Sequence, residues 1–183
     1  KGNLIKEYFA NYALHCSDIT FDIGENKVEL HNRKAEKWKV TLIDTGKDTQ
    51  TGGRILRIRD YVNGTFCLIY GDGVTDLNIK ETIKFHFKHG KLATLTAVQP
   101  LGRWGSLTLN KNHVESFQEK LKGDNAWING GFFVLEPEIF DLIDNDFSIW
   151  EQQPLKELAN KRELISYKHN GFWHPMDTMR DKK

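Results

Sequence analysis

The sequence has few of the residues that mark several large protein classes. Only two of its 183 residues are cysteines and four are prolines. Cys16 and Cys67 make no disulfide framework, which favours reduced thiols in a cytoplasmic protein. The longest apolar runs, 66–70 and 132–135, are far shorter than the roughly 20 residues that cross a bilayer, so the sequence excludes a transmembrane helix.

The sequence also lacks an excess of charge of one sign and several well-known catalytic motifs. The 26 basic residues nearly balance the 25 acidic ones, which argues against a dedicated nucleic-acid binder. The sequence has no GxSxG element, no GxxxxGKS/T loop and no CxxC pair, which argues against a serine hydrolase, a P-loop kinase and a zinc site. His86 and His89 lie on a helical pattern that also carries charge, and we expect both on the surface.

The first quarter of the chain combines a helical pattern with strand patterns. Apolar spacing predicts an amphipathic helix over 3–14, and alternation on both sides of a short turn predicts a hairpin of strands 19–23 and 27–31. A third strand is predicted over 38–43. We expect residues 15–45 to project as a strand and hairpin excursion and to mediate self-association, because the hairpin is more apolar than a solvated one needs to be. A hairpin folded onto its own domain is the alternative.

The clearest unit of the sequence is a strand, a helix and a second strand. The apolar run 65–70 predicts a strand buried on both faces, followed by a helix with Ile79, Ile83 and Phe87 on its inward face, and then a strand over 92–98. Such a crossover implies parallel strands. We therefore predict a single α/β domain over the whole chain, with a Rossmann-like, mixed but mainly parallel sheet flanked by helices. Further strands are predicted over 106–109, 113–117, 127–135 and 163–168.

Two aspartates are candidate ligands of a divalent cation. Asp72 lies between Gly71 and Gly73, where a predicted buried strand ends, and a carboxylate there suits Mg²⁺, which shares oxygen ligands with substrate phosphates. Asp177 follows a short aromatic segment near the end of the chain. The alternatives are a tight-turn aspartate for Asp72 and a helix N-cap for Asp177. Asp76 or Asn78 is predicted to cap the helix that follows, which is predicted to end at Gly90. A second cation ligand is the alternative for Asp76.

Two pairs of glycines also suggest function. Thr51-Gly52-Gly53-Arg54 begins a predicted helix, where exposed backbone N–H groups favour an anion that the arginine would also contact. A simple two-glycine turn is the alternative. In Asn129-Gly130-Gly131 the glycines interrupt an apolar strand, which predicts a bulge or the close approach of a ligand.

Taken in order, six segments of the sequence resemble one family, the sugar-1-phosphate nucleotidylyltransferases. Each segment alone is common, but their combined order and spacing is specific, and the resemblance covers essentially the whole chain. The six segments are Thr51-Gly52-Gly53-Arg54, Tyr70-Gly71-Asp72-Gly73, Gly102-Arg103-Trp104-Gly105, Phe117-Gln118-Glu119-Lys120, Trp127-Ile128-Asn129-Gly130-Gly131-Phe132-Phe133-Val134 and Phe172-Trp173-His174-Pro175-Met176-Asp177-Thr178.

The resemblance implies transfer of a cytidylyl group from CTP to glucose 1-phosphate, giving CDP-glucose and pyrophosphate, by a homo-oligomer with Mg²⁺ as cofactor. A phosphate oxygen attacks the α-phosphorus in line without a covalent enzyme intermediate, so catalysis is positioning and charge neutralisation. The resemblance places Mg²⁺ on Asp72 and Asp177, and it makes Arg54 and Lys120 catalytic. It implies that the sugar phosphate is contacted by Glu119, Lys120, Asn129 and Gly130. It implies that the nucleotide is contacted by Thr49, Arg54, Tyr70 and Gly71.

The sequence departs from the family pattern in three places. The family begins with a Gly-rich phosphate loop that this chain, which starts at Lys1, does not contain, so we expect an N-terminally incomplete catalytic domain that is inactive by itself. Leu121 replaces a usual proline after the Glu-Lys pair, and Trp104 replaces a commoner phenylalanine. The alternatives are a metal-dependent glycosyltransferase that uses Asp72 and Asp76, and a non-catalytic remnant that binds sugar phosphate or forms oligomers.

Overall fold

The chain divides into two compact units. The computed structural model describes residues 2–32, 34, 36–100, 106–118, 126–179 and 181. The units are Lys1–Gly46 and Lys47–Lys183. Within the described ranges, no helix combines the length and apolar character needed to cross a membrane.

The first unit contains two short helices and a hairpin. Helix α1 (Gly2–Ala10) and helix α2 (Tyr12–His15) replace the single predicted helix. Strand β1 (Asp18–Asp22) pairs antiparallel with β2 (Lys27–His31), which confirms the predicted hairpin. The third strand predicted over 38–43 is wrong, since these residues belong to no strand of the described structure. An alternating pattern forms a strand only where a neighbouring strand supplies hydrogen bonds.

The second unit contains the remaining α-helices and strands of the described residues, and two short 3₁₀ helices at Arg59–Tyr61 and Pro137–Leu142. Two of its strands have only three residues each and were not predicted from the sequence. In chain order the elements are α3 (Thr51–Leu56), β3 (Phe66–Ile69), β4 (Gly73–Thr75), α4 (Ile79–His89), β5 (Ala93–Val98), β6 (Ser106–Asn110), β7 (His113–Gln118), β8 (Ile128–Leu135), α5 (Gln153–Asn160), β9 (Leu164–His169) and β10 (Trp173–Pro175).

Four strands form the main sheet of this unit, in the order β3-β8-β5-β9. Strand β8 pairs antiparallel with both β3 and β5, and β5 pairs parallel with β9. The sheet is mixed as predicted, but the prediction that it is mainly parallel is wrong. β3 and β5 do run in the same direction, as the crossover pattern indicates. However, β8 comes later in the chain and returns between them in the opposite direction.

Strand β3 is half exposed, although the apolar run predicted a strand buried on both faces. Phe66 and Leu68 are half-buried on one side, whereas Cys67 and Ile69 are exposed on the other. In the described sheet β3 pairs with β8 alone, so it is an edge strand there. A continuous apolar run has no alternation that would show which face is covered, so it cannot distinguish an edge strand from a central one.

Helix α4 has the predicted ends but a different buried face. The Asn78 side chain accepts a hydrogen bond from the Glu81 N–H, so Asn78, and not Asp76, is the one of the two predicted caps that begins the helix. Gly90, with φ 61°, ends the helix in the left-handed conformation that favours glycine. The predicted inward residues Ile79 and Phe87 are 51% and 62% exposed.

His86, predicted on the surface, is one of the residues that α4 buries. Its ring nitrogens lie 2.8 Å from Thr94 Oγ1 and 2.9 Å from Glu136 Oε1, and the Thr65 hydroxyl also donates to the Glu136 carboxylate. A buried polar group needs such partners, and here they come from other parts of the chain, so sequence spacing did not reveal them. His89 beside it is half-buried, and burial lowers its pKa.

The core of the second unit lies between the main sheet and the segment 137–158. Its buried residues are Ile55, Ala93, Phe133, Leu135, Ile139, Phe140, Ile143, Trp150 and Leu158. Trp150 meets Phe133 edge to face, with ring centroids 5.8 Å apart. The residues next to Trp150 are thereby placed over β8, the strand that carries Asn129 and Gly130.

Gly52 and Gly53 allow two backbone segments to approach closely at the start of α3. Both N–H groups donate to the Ser148 carbonyl, at 2.9 and 3.2 Å. The interpretation that these groups are exposed for an anion is therefore wrong. A Cβ on Gly53 would lie 2.5 Å from the Asp146 backbone. Arg57 secures the same junction with two hydrogen bonds to the Asp146 carboxylate, which hold the pKa of that group below its usual range.

Replacing Gly53 with alanine is expected to destabilise the second unit. Overpacking against backbone costs about 1–3 kcal/mol, which outweighs the roughly 1 kcal/mol that alanine gains over glycine within a helix. Denaturant unfolding of Gly53→Ala should show a lower free energy of unfolding than the wild type. Gly64→Ala is the matched control, because a Cβ there meets no atom within 4 Å. Equal stability of the two variants would contradict the close approach.

Candidate active site

The ladder of β4 and β10 places the two candidate metal ligands on neighbouring backbones. Gly73 pairs with Pro175, and the Met176 N–H donates to the Asp72 carbonyl at 2.8 Å. Asp72 and Asp177 therefore lie at the same end of the ladder, and both residues are exposed. Sequence analysis alone did not predict how these distant aspartates pair, because neither three-residue strand was recognised.

The chemistry of this pair of aspartates fits Mg²⁺. Among the described residues, no group of three or more His, Cys, Asp and Glu side chains could hold a metal ion. Mg²⁺ is usually bound by one or two carboxylates, with substrate phosphates and water in its other positions. Asp72 and Asp177 match that requirement, and their role as metal ligands stays a prediction.

Asp181, which sequence analysis did not single out, organises the turn that carries Asp177. Its carboxylate accepts hydrogen bonds from the Thr178 N–H at 2.6 Å and the Thr178 hydroxyl at 2.8 Å. The His174 ring lies 3.1 Å from its other oxygen. These bonds, those of Thr178 most strongly, hold the pKa of Asp181 below its usual range. The spacing of Thr178 and Asp181 was the available sequence signal, since short polar side chains often bond nearby backbone.

Strand β8 bulges at Gly130 and Gly131, as the paired glycines predicted. The register between β5 and β8 shifts opposite these residues, and Gly131 has φ 75°. A Cβ on Gly131 would lie 2.7 Å from the Tyr70 ring. The Trp173 indole N–H donates to the Gly130 carbonyl at 2.8 Å. The bulge therefore attaches β10 to the main sheet and leaves room for Tyr70.

A hydrogen-bond chain joins three of the predicted site segments. The Tyr70 hydroxyl donates to Glu151 Oε1 at 2.5 Å, and the Thr51 hydroxyl donates to Glu151 Oε2 at 2.7 Å. Asn129 Nδ2 donates to the Tyr70 hydroxyl at 3.2 Å, and Asn129 Oδ1 accepts from the Gly131 N–H at 2.8 Å. Glu151 was missed by sequence analysis, because no motif surrounds it and its partners are far along the chain.

The environment of Tyr70 keeps its phenol protonated. Burial raises the pKa of Tyr70 most, and the hydrogen bond to Glu151 raises it further, while Asn129 partly opposes the change. A raised phenol pKa means that the proton is retained through neutral and moderately alkaline pH. Tyr70 therefore acts as a hydrogen-bond donor across that range.

The other residues assigned to the nucleotide lie close to α3 and β3. Thr49 is buried, with 8% of its surface exposed. The Arg54 guanidinium donates to the Lys47 carbonyl at 3.4 Å, and Gly71 is exposed with open space around it. The bonds of Glu151 connect this part of the chain to Asn129. The nucleotide contacts of Thr49, Arg54 and Gly71 stay predictions.

Two predicted segments cannot be placed in this site. Glu119 and Lys120, assigned to the sugar phosphate, lie outside the described residues, and so does Gly102-Arg103-Trp104-Gly105. Strand β7 ends at Gln118, and the described chain resumes at Ala126, two residues before β8.

Asp76 binds the turn that leads into β10. Its carboxylate lies 2.9 Å from His169 Nε2, on a ring that is 12% exposed. The Asp76 N–H and the Thr75 hydroxyl both donate to the Phe172 carbonyl. These contacts hold the turn against the end of β4, which stabilises the ladder that carries the two candidate metal ligands.

Comparison with known proteins identifies the family. The nucleotidyl transferase family profile matches residues 6–172, nearly the whole chain. The chain belongs to the nucleotidyl transferase family. It is 58% identical to the glucose-1-phosphate cytidylyltransferase of Salmonella typhimurium, an alignment that covers 100% of this chain and 72% of that protein. It is 40% identical to a probable glucose-1-phosphate cytidylyltransferase of Bacillus subtilis, over 99% of this chain and 71% of the relative.

Solved structures show the same fold for the nucleotidyl transferase chain. HddC from Yersinia pseudotuberculosis superposes with a TM-score of 0.53 at 22% identity, covering 74% of this chain and 60% of that one. A glucose-1-phosphate thymidylyltransferase described as putative, from Bacillus anthracis, superposes with a TM-score of 0.55 at 14% identity, over 75% of this chain and 59% of that one. The chain thus spans about three fifths of these solved structures, and the likeness concerns the fold alone.

Proposed function

We propose that this nucleotidyl transferase chain transfers a cytidylyl group from CTP to glucose 1-phosphate and releases CDP-glucose and pyrophosphate. The observation that carries the proposal is the 58% identity with a glucose-1-phosphate cytidylyltransferase across the whole chain. The site geometry agrees with this chemistry, because exposed carboxylates, a polar bulge and a hydroxyl network lie around the ends of β3, β4 and β10.

The residues of the site bind and orient two anionic substrates. Lys120 would hold the phosphate of glucose 1-phosphate, and Glu119 and Asn129 would contact the hydroxyl groups of the sugar. Thr49 and Arg54 would contact the nucleotide. An oxygen of the sugar phosphate attacks the α-phosphorus of CTP, the bond from that phosphorus to the β-phosphate oxygen breaks, and pyrophosphate leaves. The attacking phosphate is already largely ionised at neutral pH, so the protein does not need to remove a proton.

Asp72 and Asp177 would hold Mg²⁺ at the end of the β4–β10 ladder. The bound ion would supply positive charge between the phosphates of the two substrates. The Met176–Asp72 backbone bond and the bonds of Asp181 to Thr178 fix the backbone beside these two aspartates. Positioning and charge neutralisation are then the main sources of rate enhancement.

Product analysis with a panel of nucleotides tests the proposed reaction. The protein is incubated with glucose 1-phosphate, MgCl₂ and CTP, UTP, GTP or dTTP, and sugar nucleotides are identified by mass spectrometry. Because the curated relatives are longer than this chain, both the 183-residue chain and the protein at its full reading-frame length are assayed. We expect CDP-glucose and pyrophosphate with CTP. A comparable rate with another nucleotide would contradict the proposed specificity.

Removing either candidate metal ligand is expected to abolish most activity. Asp72→Asn and Asp177→Asn keep the side-chain size but remove the charge, and losing one such electrostatic interaction costs about 10²–10³ in rate. Rates are measured across a MgCl₂ series, where the variants should need more metal than the wild type. Asp144→Asn, at an exposed aspartate, is the control. An unchanged MgCl₂ dependence in both ligand variants would remove the two residues from this role.

Lys120→Ala is expected to weaken binding of glucose 1-phosphate more than binding of CTP. A charge-assisted contact is worth about 1.5–3 kcal/mol, or roughly ten- to hundred-fold in affinity. The KM values for both substrates are compared with those of Lys156→Ala, an exposed position on α5. An equal rise in KM for both substrates would show that Lys120 does not hold the sugar phosphate.

We also propose that the hairpin of β1 and β2 mediates self-association. Its apolar side chains are unusually exposed, with Phe21 at 58%, Ile23 at 86% and Val28 at 57%. Exposed apolar patches of this kind are typical of interaction surfaces. A hairpin that packs on its own domain is the competing interpretation, and the projection of residues 15–45 stays a prediction.

Light scattering of hairpin variants tests the self-association. Ile23→Glu should lower the molar mass, because a charge at this position disrupts an apolar interface but costs an exposed monomer surface little. Deletion of residues 19–32 should have the same effect. Val114→Glu, at a position 56% exposed on β7, is the control. A molar mass that is unchanged in both hairpin variants would refute the proposal.

A further inference from the structure

Glu151 is the one residue of the hydrogen-bond chain that contacts both α3 and the end of β3. Both of its carboxylate oxygens accept hydroxyl protons, from Tyr70 at 2.5 Å and from Thr51 at 2.7 Å. From these contacts we infer that Glu151 is a positioning residue, which orients Asn129 through Tyr70 for binding of the sugar phosphate. The inference deepens the proposed function and rests on it.

The direction of the hydrogen bonds carries this inference. A phenol has a single proton, and Tyr70 uses it toward Glu151, so its oxygen lone pairs face Asn129. That oxygen can then accept from Asn129 Nδ2 but cannot donate to Asn129 Oδ1. The Oδ1 atom turns instead to the Gly131 N–H, at 2.8 Å. The acceptor oxygen that Glu151 offers to Tyr70 thereby helps to decide which end of the Asn129 amide faces which neighbour.

The orientation of Asn129 determines what it offers to a ligand. Besides the bonds to Tyr70 and Gly131, the amide has a second N–H and a second oxygen lone pair. A sugar hydroxyl can both donate and accept, so it can use both groups when the amide is held in one orientation. If the amide rotated by 180°, its NH₂ group would face the Gly131 N–H and donors would oppose each other. The rotation would also turn Oδ1 toward the lone pairs of Tyr70, whose proton Glu151 holds, so Glu151 opposes the rotation through Tyr70.

A direct chemical role for Glu151 agrees less well with the contacts. Its two oxygens already accept from Tyr70 and Thr51, and the reaction requires no proton to be removed by the protein. The Thr51 hydroxyl in turn accepts from the Trp150 N–H at 3.0 Å, which is anchored by the core packing of Trp150. The carboxylate is therefore held between a rigid segment and Tyr70, as a positioning residue requires.

A double-mutant cycle on glucose 1-phosphate binding tests the inference. Calorimetry gives the Kd for the wild type, Glu151→Ala, Tyr70→Phe and the double variant, with circular dichroism to confirm folding. Each single variant should raise the Kd about 3- to 10-fold, the effect of one lost neutral hydrogen bond. The Kd of the double variant should be no higher than that of Tyr70→Phe alone. Glu151→Gln, which keeps an acceptor oxygen, should restore most of the affinity.

The control is Glu157→Ala, because Glu157 pairs with Lys161 on the same segment and should leave the Kd unchanged. If adding Glu151→Ala to Tyr70→Phe raises the Kd again by the full factor of the single variant, Glu151 acts without Tyr70, which overturns the inference. Normal affinity in folded Glu151→Ala would overturn it too.

The same calorimetry separates this inference from the proposed function. If the wild type binds no glucose 1-phosphate, the proposed function is wrong. If the wild type binds it and folded Glu151→Ala binds it with the same Kd, the proposed function stands and the inference is overturned.

Discussion

The bulge in β8 is the constraint on which the rest of the site depends. At Gly130 and Gly131 the backbone has no side chain, so the Tyr70 ring, just after β3, and the Trp173 indole, on β10, can approach it. The bond from the indole to the Gly130 carbonyl attaches β10 to the main sheet. Because β10 pairs with β4, both candidate metal ligands are held near Asn129 by this one irregularity, and bulges are typical next to active sites.

The acidic side chains of the second unit serve two different purposes. Asp146 and Asp181 accept hydrogen bonds from an arginine and from a neighbouring turn, and these bonds hold their pKa values low. Such carboxylates stay ionised and stabilise the local backbone. Asp72 and Asp177, in contrast, are exposed at the end of a ladder, where a cation and phosphates can reach them. Asp181 bonds the turn next to Asp177, whereas Asp146 stabilises the junction at the start of α3.

Features that depend on neighbouring residues could be predicted from the sequence. The hairpin of β1 and β2, the glycine that ends α4 and the bulge in β8 all follow from turn, cap and strand preferences within a few residues. The same reasoning failed for His86, because its charged helix neighbours suggested solvent. Its actual partners, Thr94 and Glu136, lie on other elements, and no periodicity within α4 points to them.

The sequence by itself determined the kinds of local element, the aspartates that suit a divalent cation and, through the order of its motifs, the family. Only the tertiary structure decided that β8 runs antiparallel between β3 and β5, that Asp72 and Asp177 lie on paired strands, and that Glu151 joins Thr51 to Tyr70. The physical reason is that local preferences act over a few residues. Strand direction and hydrogen bonds between distant residues depend instead on how whole elements pack to bury apolar surface and satisfy polar groups.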